Sequence, residues 1–397
     1  MRILVYPHEL GMGGSQINAL ELAGAVRDLG HDVFVFATRG VLLDKVQDLR
    51  LPFIEAPSRK YAVDFRTMRI LNETVRELNI DLVHPYEWTS IVNTAFGPAL
   101  RYGTPAVMTV LSMDVPDFLP RYIPIIVGTH GLARDEAARR GHIHVIEPPI
   151  DTQFNKTGGM HSARERLGLA DEDQVVSIVG RLTNDLGKLD GVRSAIRVAD
   201  RISDRLPVTL LVAGSGEGST EVEAMARAVN SRHGRPVVRV EGNVLDPRPI
   251  YDAADVVLGM GSSALRGMAY AKPVIVQGES GYWRIASPET EHQFLHEGWF
   301  GRGGQGDADL EPVLATLLSD PALRTALGAF GRSLVEERFG LAGAADQLVS
   351  IYRNQIQAPP TTIARTRSLV RSGYEVAKFR FVVQLRGRST PRPAAGG

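Results

Sequence analysis

Two short apolar runs, VVLG at 256–259 and PVIVQ at 273–277, flank the sequence MGSSALRGMAYAK. Each run has the length of a buried strand, and the segment between them holds only a turn and a helix of barely two turns. Pro273 stops that helix, because proline lacks the N–H a helix interior needs. Two strands joined through a helix lie parallel in one sheet, and a parallel sheet is covered by helices. A Gly-Ser turn leading into a helix N-terminus also suits a phosphate, because the first-turn N–H groups lack intrahelical acceptors.

The same alternation recurs along the chain. Residues 2–6 read as a strand and Gly11, Gly13 and Gly14 as a turn. Ser15 is expected to cap a helix carrying Ile17, Leu20, Leu22, Val26 and Leu29, ended by Gly30. Strands follow at 31–37, 82–84, 106–110 and 125–127. The pattern breaks in EPPIDTQFNKTGG, the best linker candidate. It restarts with a strand at 175–179, a helix at 189–202, strands at 208–213 and 237–240, and helices at 310–317, 321–339 and 341–354. A length of 397 residues suits two domains. The expected fold is α/β: two Rossmann-like domains facing a cleft, an N-terminal one at 1–150 and a C-terminal one at 151–340, a helix at 341–358 and a basic tail at 359–397.

Composition excludes several function classes. Lys plus Arg equals Asp plus Glu, so nothing in the overall charge points to nucleic acid. The absence of cysteine removes disulfides, thiolate metal sites and a thiol nucleophile. MRILVYPHE is too short an apolar start for a signal peptide, and no run approaches a membrane span, so a cytoplasmic protein is expected. The tail differs: Arg365, Arg367, Arg371, Lys378, Arg380, Arg386, Arg388 and Arg392 face a single acid, Glu375. Its segment YEVAKFRFVVQL interleaves aromatic, aliphatic and basic residues, so the tail at 361–392 suits either a packing helix or sheet addition followed by a disordered end, or peripheral contact with an anionic inner-membrane surface.

The GMGGS turn at 11–15 lacks the third glycine of a dinucleotide fingerprint, and the second strand ends Ala37-Thr38-Arg39 without an acid. Hydride transfer is therefore disfavoured. In VGRLTNDLGKLDG, Arg181 ends a buried strand and Lys188 lies in the next loop; two cations there can neutralise a diphosphate leaving group. Gly261, Ser262, Ser263 and Ala264 begin the short helix, the serines as expected caps, with Arg266 and Tyr270 sharing a side away from Leu265, Met268 and Ala269.

Taken in order, GGSQINALELA, VIEPPIDTQF, VGRL…GKLDG, LLVAGSGEG, VEGNV…VVLGMGSSALRGMAYAKPVIVQGESG and LLSDPALRTALGAFGRSLVEERFG resemble the retaining nucleotide-sugar glycosyltransferases of the GT-B fold, from Met1 to about Arg353. The resemblance implies an acceptor domain, then a donor domain, with C-terminal helices returning toward the first. It implies a nucleotide-diphosphate sugar as co-substrate, with no further cofactor and no metal. Carried over, Arg181 and Lys188 bind the diphosphate, and Gly14 and Ser15 face the phosphate or sugar. Gly242, Asn243 and Val244 lie near the nucleobase and Ser262, Ser263 and Ala264 near the phosphates, with Gly214 and Gly261 also in the donor site.

Departures from the family pattern are specific. Arg266 stands where an acid often binds the ribose, no acid lies between Asp255 and Glu279, and Leu111 replaces a histidine. The Arg181–Lys188 spacing is two residues longer than is common in the family. The candidates for the vacated chemistry are Glu279, Asp114 and His84, with Glu279 expected to take the sugar or ribose hydroxyls while Arg266 points away. The expected activity is sugar transfer with retention to an acceptor that is lipid-linked or soluble, in envelope glycan, glycolipid or natural-product synthesis. A non-catalytic nucleotide-sugar-binding protein is the alternative reading; an epimerase would need more acids and histidines than this pocket shows.

Overall fold

The computed structural model describes residues 1–57, 64–112 and 114–388. Residues 389–397, with Arg392 and the end of the basic tail, lie outside it. The chain divides into two compact units: Met1–Glu147 joined by the chain from Ala342 onward, and Pro148–Leu341.

The first unit opens with β1 (Arg2–Tyr6), α1 (Gly14–Asp28), β2 (Asp32–Ala37), α2 (Leu43–Asp48), β3 (Phe53–Glu55), α3 (Phe65–Glu77) and β4 (Leu82–Pro85). It continues through α4 (Glu87–Thr94), a π-helical stretch at Ala95–Ala99, α5 (Leu100–Tyr102), β5 (Met108–Val110), β6 (Ile125–Val127), α6 (His130–Ala137) and β7 (Ile143–Val145). Its strands pair in parallel in the orders β3-β2-β1-β4 and β5-β6-β7, and bridges at Val83–Ala106 and Tyr86–Thr109 join the two sets. Every residue of β4, β5 and β6 is buried. Burial on both faces is what a parallel sheet covered by helices requires, and the polar His84 and Thr109 within these strands are buried with the rest.

The second unit holds α7 (Met160–Leu167), β8 (Gln174–Val179), α8 (Lys188–Ile202), β9 (Val208–Ala213), α9 (Ser219–His233), β10 (Val238–Gly242), α10 (Arg248–Ala253) and β11 (Val256–Gly259). Then come α11 (Ser262–Ala269), β12 (Val274–Gln277), β13 (Trp283–Ile285), α12 (Glu291–Glu297), α13 (Asp307–Ser319) and α14 (Pro321–Arg338). The sheet order is β10-β9-β8-β11-β12-β13, parallel except for the last pair. Its core places Val192, Ile196 and Ala199 of α8 against Val176, Leu210 and Val212 of the sheet. Asp320 caps α14 by accepting from Leu323 N at 2.9 Å, with Pro321 at the first helical position.

Two helices complete the first unit, α15 (Leu341–Gln357) and α16 (Thr362–Arg388). Tyr352 of α15 is buried, its hydroxyl 2.5 Å from His84 Nδ1 of β4. α16 docks through Ser368, whose Oγ accepts from Arg121 N at 2.7 Å, and through buried Leu369. Ser372 Oγ donates to the Phe118 carbonyl, and Arg371 donates to the Leu119 carbonyl at 2.7 Å. The described part of the tail is thus one helix, packed along one side.

Candidate functional site

Each unit carries a topological switch point, where the chain leaves one half of the sheet and starts the other; ligands of open α/β sheets bind beside the carboxyl ends of the strands there. In the second unit it lies between β8 and β11. Arg181 follows β8, Lys188 opens α8, and the turn ending in Gly261 opens α11. Leu186, at φ +55°, and Gly187, at φ +69°, kink the longer loop so that its cations converge on one acid. Asp185 meets Arg181 at 3.2 Å and also contacts Lys188 and Thr183.

The electrostatics follow from that trio. Burial pulls the Lys188 ammonium below its ordinary pKa; Asp185 opposes the shift and Arg181 adds to it. Burial acts to raise the Asp185 carboxyl, but the hydrogen bonds from Lys188 and Thr183 and the two positive charges hold it below its usual value. The site therefore carries two cations and one carboxylate, a net positive charge beside a helix N-terminus.

Neighbouring loops close over β11. A Cβ on Gly187 would stand 3.1 Å from the Glu279 Cα, so the loops after β8 and β12 touch. Gln277 Nε2 ties them by donating to the Gly187 and Lys188 carbonyls at 3.0 Å. Gly214 belongs to the same edge for a packing reason: its φ is +149° and a Cβ would lie 1.7 Å from the Gly180 oxygen. Gly242 accepts from Gly214 N at 2.7 Å, leaving Asn243 exposed and Val244 half-buried beyond it.

Several expected roles are corrected. Gly261, at φ +52°, is the N-cap of α11, and neither Ser262 nor Ser263 caps it through its side chain. Ser263 Oγ instead accepts from Met260 N at 3.1 Å and bonds the Met260 carbonyl, closing the turn. Ser262 and Ala264 remain in the first turn, where helix geometry leaves N–H groups without intrahelical acceptors. Tyr270, expected on the same side as Arg266, is buried and stacked on Tyr251 at 5.8 Å. Arg266 is half-buried, and burial raises the Tyr251 phenol to about 12 against the arginine's opposing charge. Glu279 is engaged by Arg302 at 3.2 Å.

In the first unit the switch point lies between β1 and β4, and the residue that organises it is Glu87. Its Oε1 accepts from Ser15 Oγ at 2.9 Å and from Leu111 N at 3.1 Å, and its Oε2 from Ser112 Oγ at 2.8 Å. One carboxylate thus joins the loops after β1, β4 and β5. Glu87 sits at φ +62°, a region a non-glycine residue enters only when its surroundings hold it there. Ser15 is not a cap, since Gly13 holds that position; its hydroxyl serves Glu87, and Gly14 is the first helical residue. Sequence reasoning missed Glu87 because an acid in a first helical turn looks like ordinary dipole compensation.

His84 and Asp114 separate. Asp114 is exposed on the loop after β5. His84 has no exposed surface: Nδ1 meets Tyr352 and Nε2 meets Thr109 Oγ1 at 2.7 Å. It holds β4, β5 and α15 together, with both ring nitrogens engaged inside the unit. Burial lowers its pKa from 6.5 to about 3. The unfolded chain therefore takes up a proton below about pH 6.5 that the folded chain refuses, so stability is lost as pH falls from there toward 3. Between pH 7.5 and 5.5 the wild type is expected to lose about 1 kcal/mol more than His84→Gln in denaturant unfolding. Equal losses would assign the pH dependence to other groups.

Two family models match this chain, Glycosyltransferase Family 4 over residues 12–154 and Glycosyl transferases group 1 over residues 173–297. Among solved structures, Anabaena Alr3699/HepE in complex with UDP-glucose superposes with a TM-score of 0.71 at 16% identity, covering 89% of this chain and 100% of its own. A glycosyltransferase from Rickettsia africae gives a TM-score of 0.68 at 14% identity over 90% and 99%. The chain belongs to the GT-B glycosyltransferases. In sequence, this glycosyltransferase is similar to D-inositol 3-phosphate glycosyltransferase of Kineococcus radiotolerans, 26% identical over 89% of this chain and 93% of that protein.

Proposed function

We propose that this glycosyltransferase takes a nucleotide-diphosphate sugar in its second unit and transfers the sugar, with retention and without a metal, to an acceptor hydroxyl held by the first. The observation that carries the reading is the convergence of Arg181 and Lys188 with the start of α11 at the switch point of the second sheet. Charge grows on the diphosphate as the glycosidic bond breaks. Preorganised cations and first-turn N–H groups stabilise that growing charge more than they stabilise the bound donor. Asp185 keeps the two cations together, and a diphosphate would compete with it for both. HepE, a fold neighbour, binds UDP and UDP-glucose, which supports a nucleotide-sugar donor here. Glu87, anchored by three donors at the switch point of the first sheet, is the group placed to orient the acceptor hydroxyl.

The test is a nucleotide-sugar screen by thermal shift, followed by transfer assays with polyol, inositol-phosphate and lipid-linked acceptors in the presence of EDTA. Product with the donor's anomeric configuration by NMR, at a rate EDTA changes less than twofold, is the expected result. An inverted product would overturn retention, and loss of activity in EDTA would overturn metal independence. Binding without turnover in any acceptor mixture would favour a non-catalytic sugar-nucleotide binder.

A further inference from the structure

The outer side of α16 is unlike its docked side. Ile363, Val370 and Tyr374 are 82%, 69% and 68% exposed, and spacings of seven and four residues align them along one face. Arg367 and Lys378 are exposed on the same helix. Next to this face, α3, α5 and α16 frame an open groove of about 990 Å³. Met68, Phe96 and Val376 line it, together with Phe65, 83% exposed, and the half-exposed Leu100 and Tyr102. Arg69, Arg76 and Arg101 line it as well, against one acid, Glu73, 3.8 Å from Arg69.

Large apolar side chains gathered in one exposed area mark a surface that something covers. Charge decides what. The cations of the groove and helix outnumber the acids, and the sequence continues with Arg380, Arg386, Arg388 and Arg392. Bulky apolar and tyrosine side chains among arginines match the boundary between acyl chains and anionic headgroups, where rings insert and guanidinium groups meet phosphate. Among the described residues no helix is long and apolar enough to cross a membrane. We propose that this groove and the outer face of α16 are a docking surface for an anionic lipid bilayer. The surface lies wholly within the first unit and is independent of the donor reading.

The experiment is co-sedimentation of the full chain with vesicles of mixed phosphatidylglycerol and phosphatidylcholine, and with phosphatidylcholine alone. Binding to the anionic vesicles only, weakened by salt, is expected. Removing one headgroup-facing cation weakens partitioning about fivefold, so replacing Arg69, Arg76 and Arg101 by Gln is expected to weaken it about a hundredfold. Phe65→Ser with Tyr374→Ser is expected to weaken it at least tenfold. All five side chains lie on the surface or the groove rim, so thermal midpoints and nucleotide-sugar shifts should match wild type. No sedimentation, equal binding to both vesicles, or unchanged binding by the arginine variant would overturn the proposal. So would a dimer in light scattering that the Phe65/Tyr374 variant abolishes, because the surface would then belong to a second copy.

Discussion

Lys188→Ala is expected to lower kcat/KM for the nucleotide sugar by about a hundredfold to a thousandfold, the range seen when one preorganised charge-stabilising donor is removed. The side chain is half-buried beside Arg181 and Asp185, so its charge acts in a medium less screened than water. Deletion also leaves Asp185 paired with Arg181 alone, which removes the net positive charge of the trio. Lys188→Arg should recover part of the rate, because charge is kept while the compact ammonium is lost. Lys188 opens α8 and its ammonium lies at the loop, so the thermal midpoint should move by only a few degrees. A wild-type rate in Lys188→Ala would remove the diphosphate from this loop.

Glu87 gives the second large effect. Glu87→Gln keeps the shape but replaces a charged acceptor of three hydrogen bonds with an amide whose nitrogen faces a donor. Such bonds to a charged group are each worth about 1.5–3 kcal/mol. Acceptor kcat/KM is therefore expected to fall about a hundredfold, while donor hydrolysis in the absence of acceptor changes little. Glu87→Gly is the informative companion, since glycine relieves the φ of +62° while removing the carboxylate. If the residue orients the acceptor, both variants lose transfer while donor hydrolysis persists, and the glycine variant's midpoint falls by several degrees because three loop donors lose their acceptor. Undiminished transfer in Glu87→Gly would reduce Glu87 to a loop tie.

Much of the fold was legible in the sequence. Strands 125–127 and 208–213 coincide with β6 and β9, and the helices expected at 310–317, 321–339 and 341–354 appear as α13, α14 and α15. These segments are apolar runs or strong periodic helices bounded by Gly or Pro, where local and tertiary preferences agree. The short edge strands β3, β7 and β13 were not legible. FIE, IHV and WRI are as short as β6 but each mixes a polar residue with the apolar ones, so they form no apolar run and take their conformation from a neighbouring strand.

The candidate site divides along the same line. Arg181, Lys188 and the 261–264 turn could be named because a cation after a strand, or glycines before a helix, is a local pattern that chemistry can interpret. His84 looked like a reacting group until β5 and α15 enclosed it, and the serines looked like caps until glycine took both cap positions. Glu87 had no local signature, since its donors come from residues 15, 111 and 112.

The stretch from Val256 to Gly281 shows what each level decides. By itself the sequence determined a strand, a Gly-Ser turn, a short helix and a second strand, because periodicity, Pro273 and the glycines leave few alternatives over so few residues. Only the tertiary structure decided that β8 lies beside β11, which brings Arg181 and Lys188 to the same strand ends as α11. It also decided that Arg302 engages Glu279. Strand order and side-chain partners depend on contacts between residues tens of positions apart, and no local pattern encodes them.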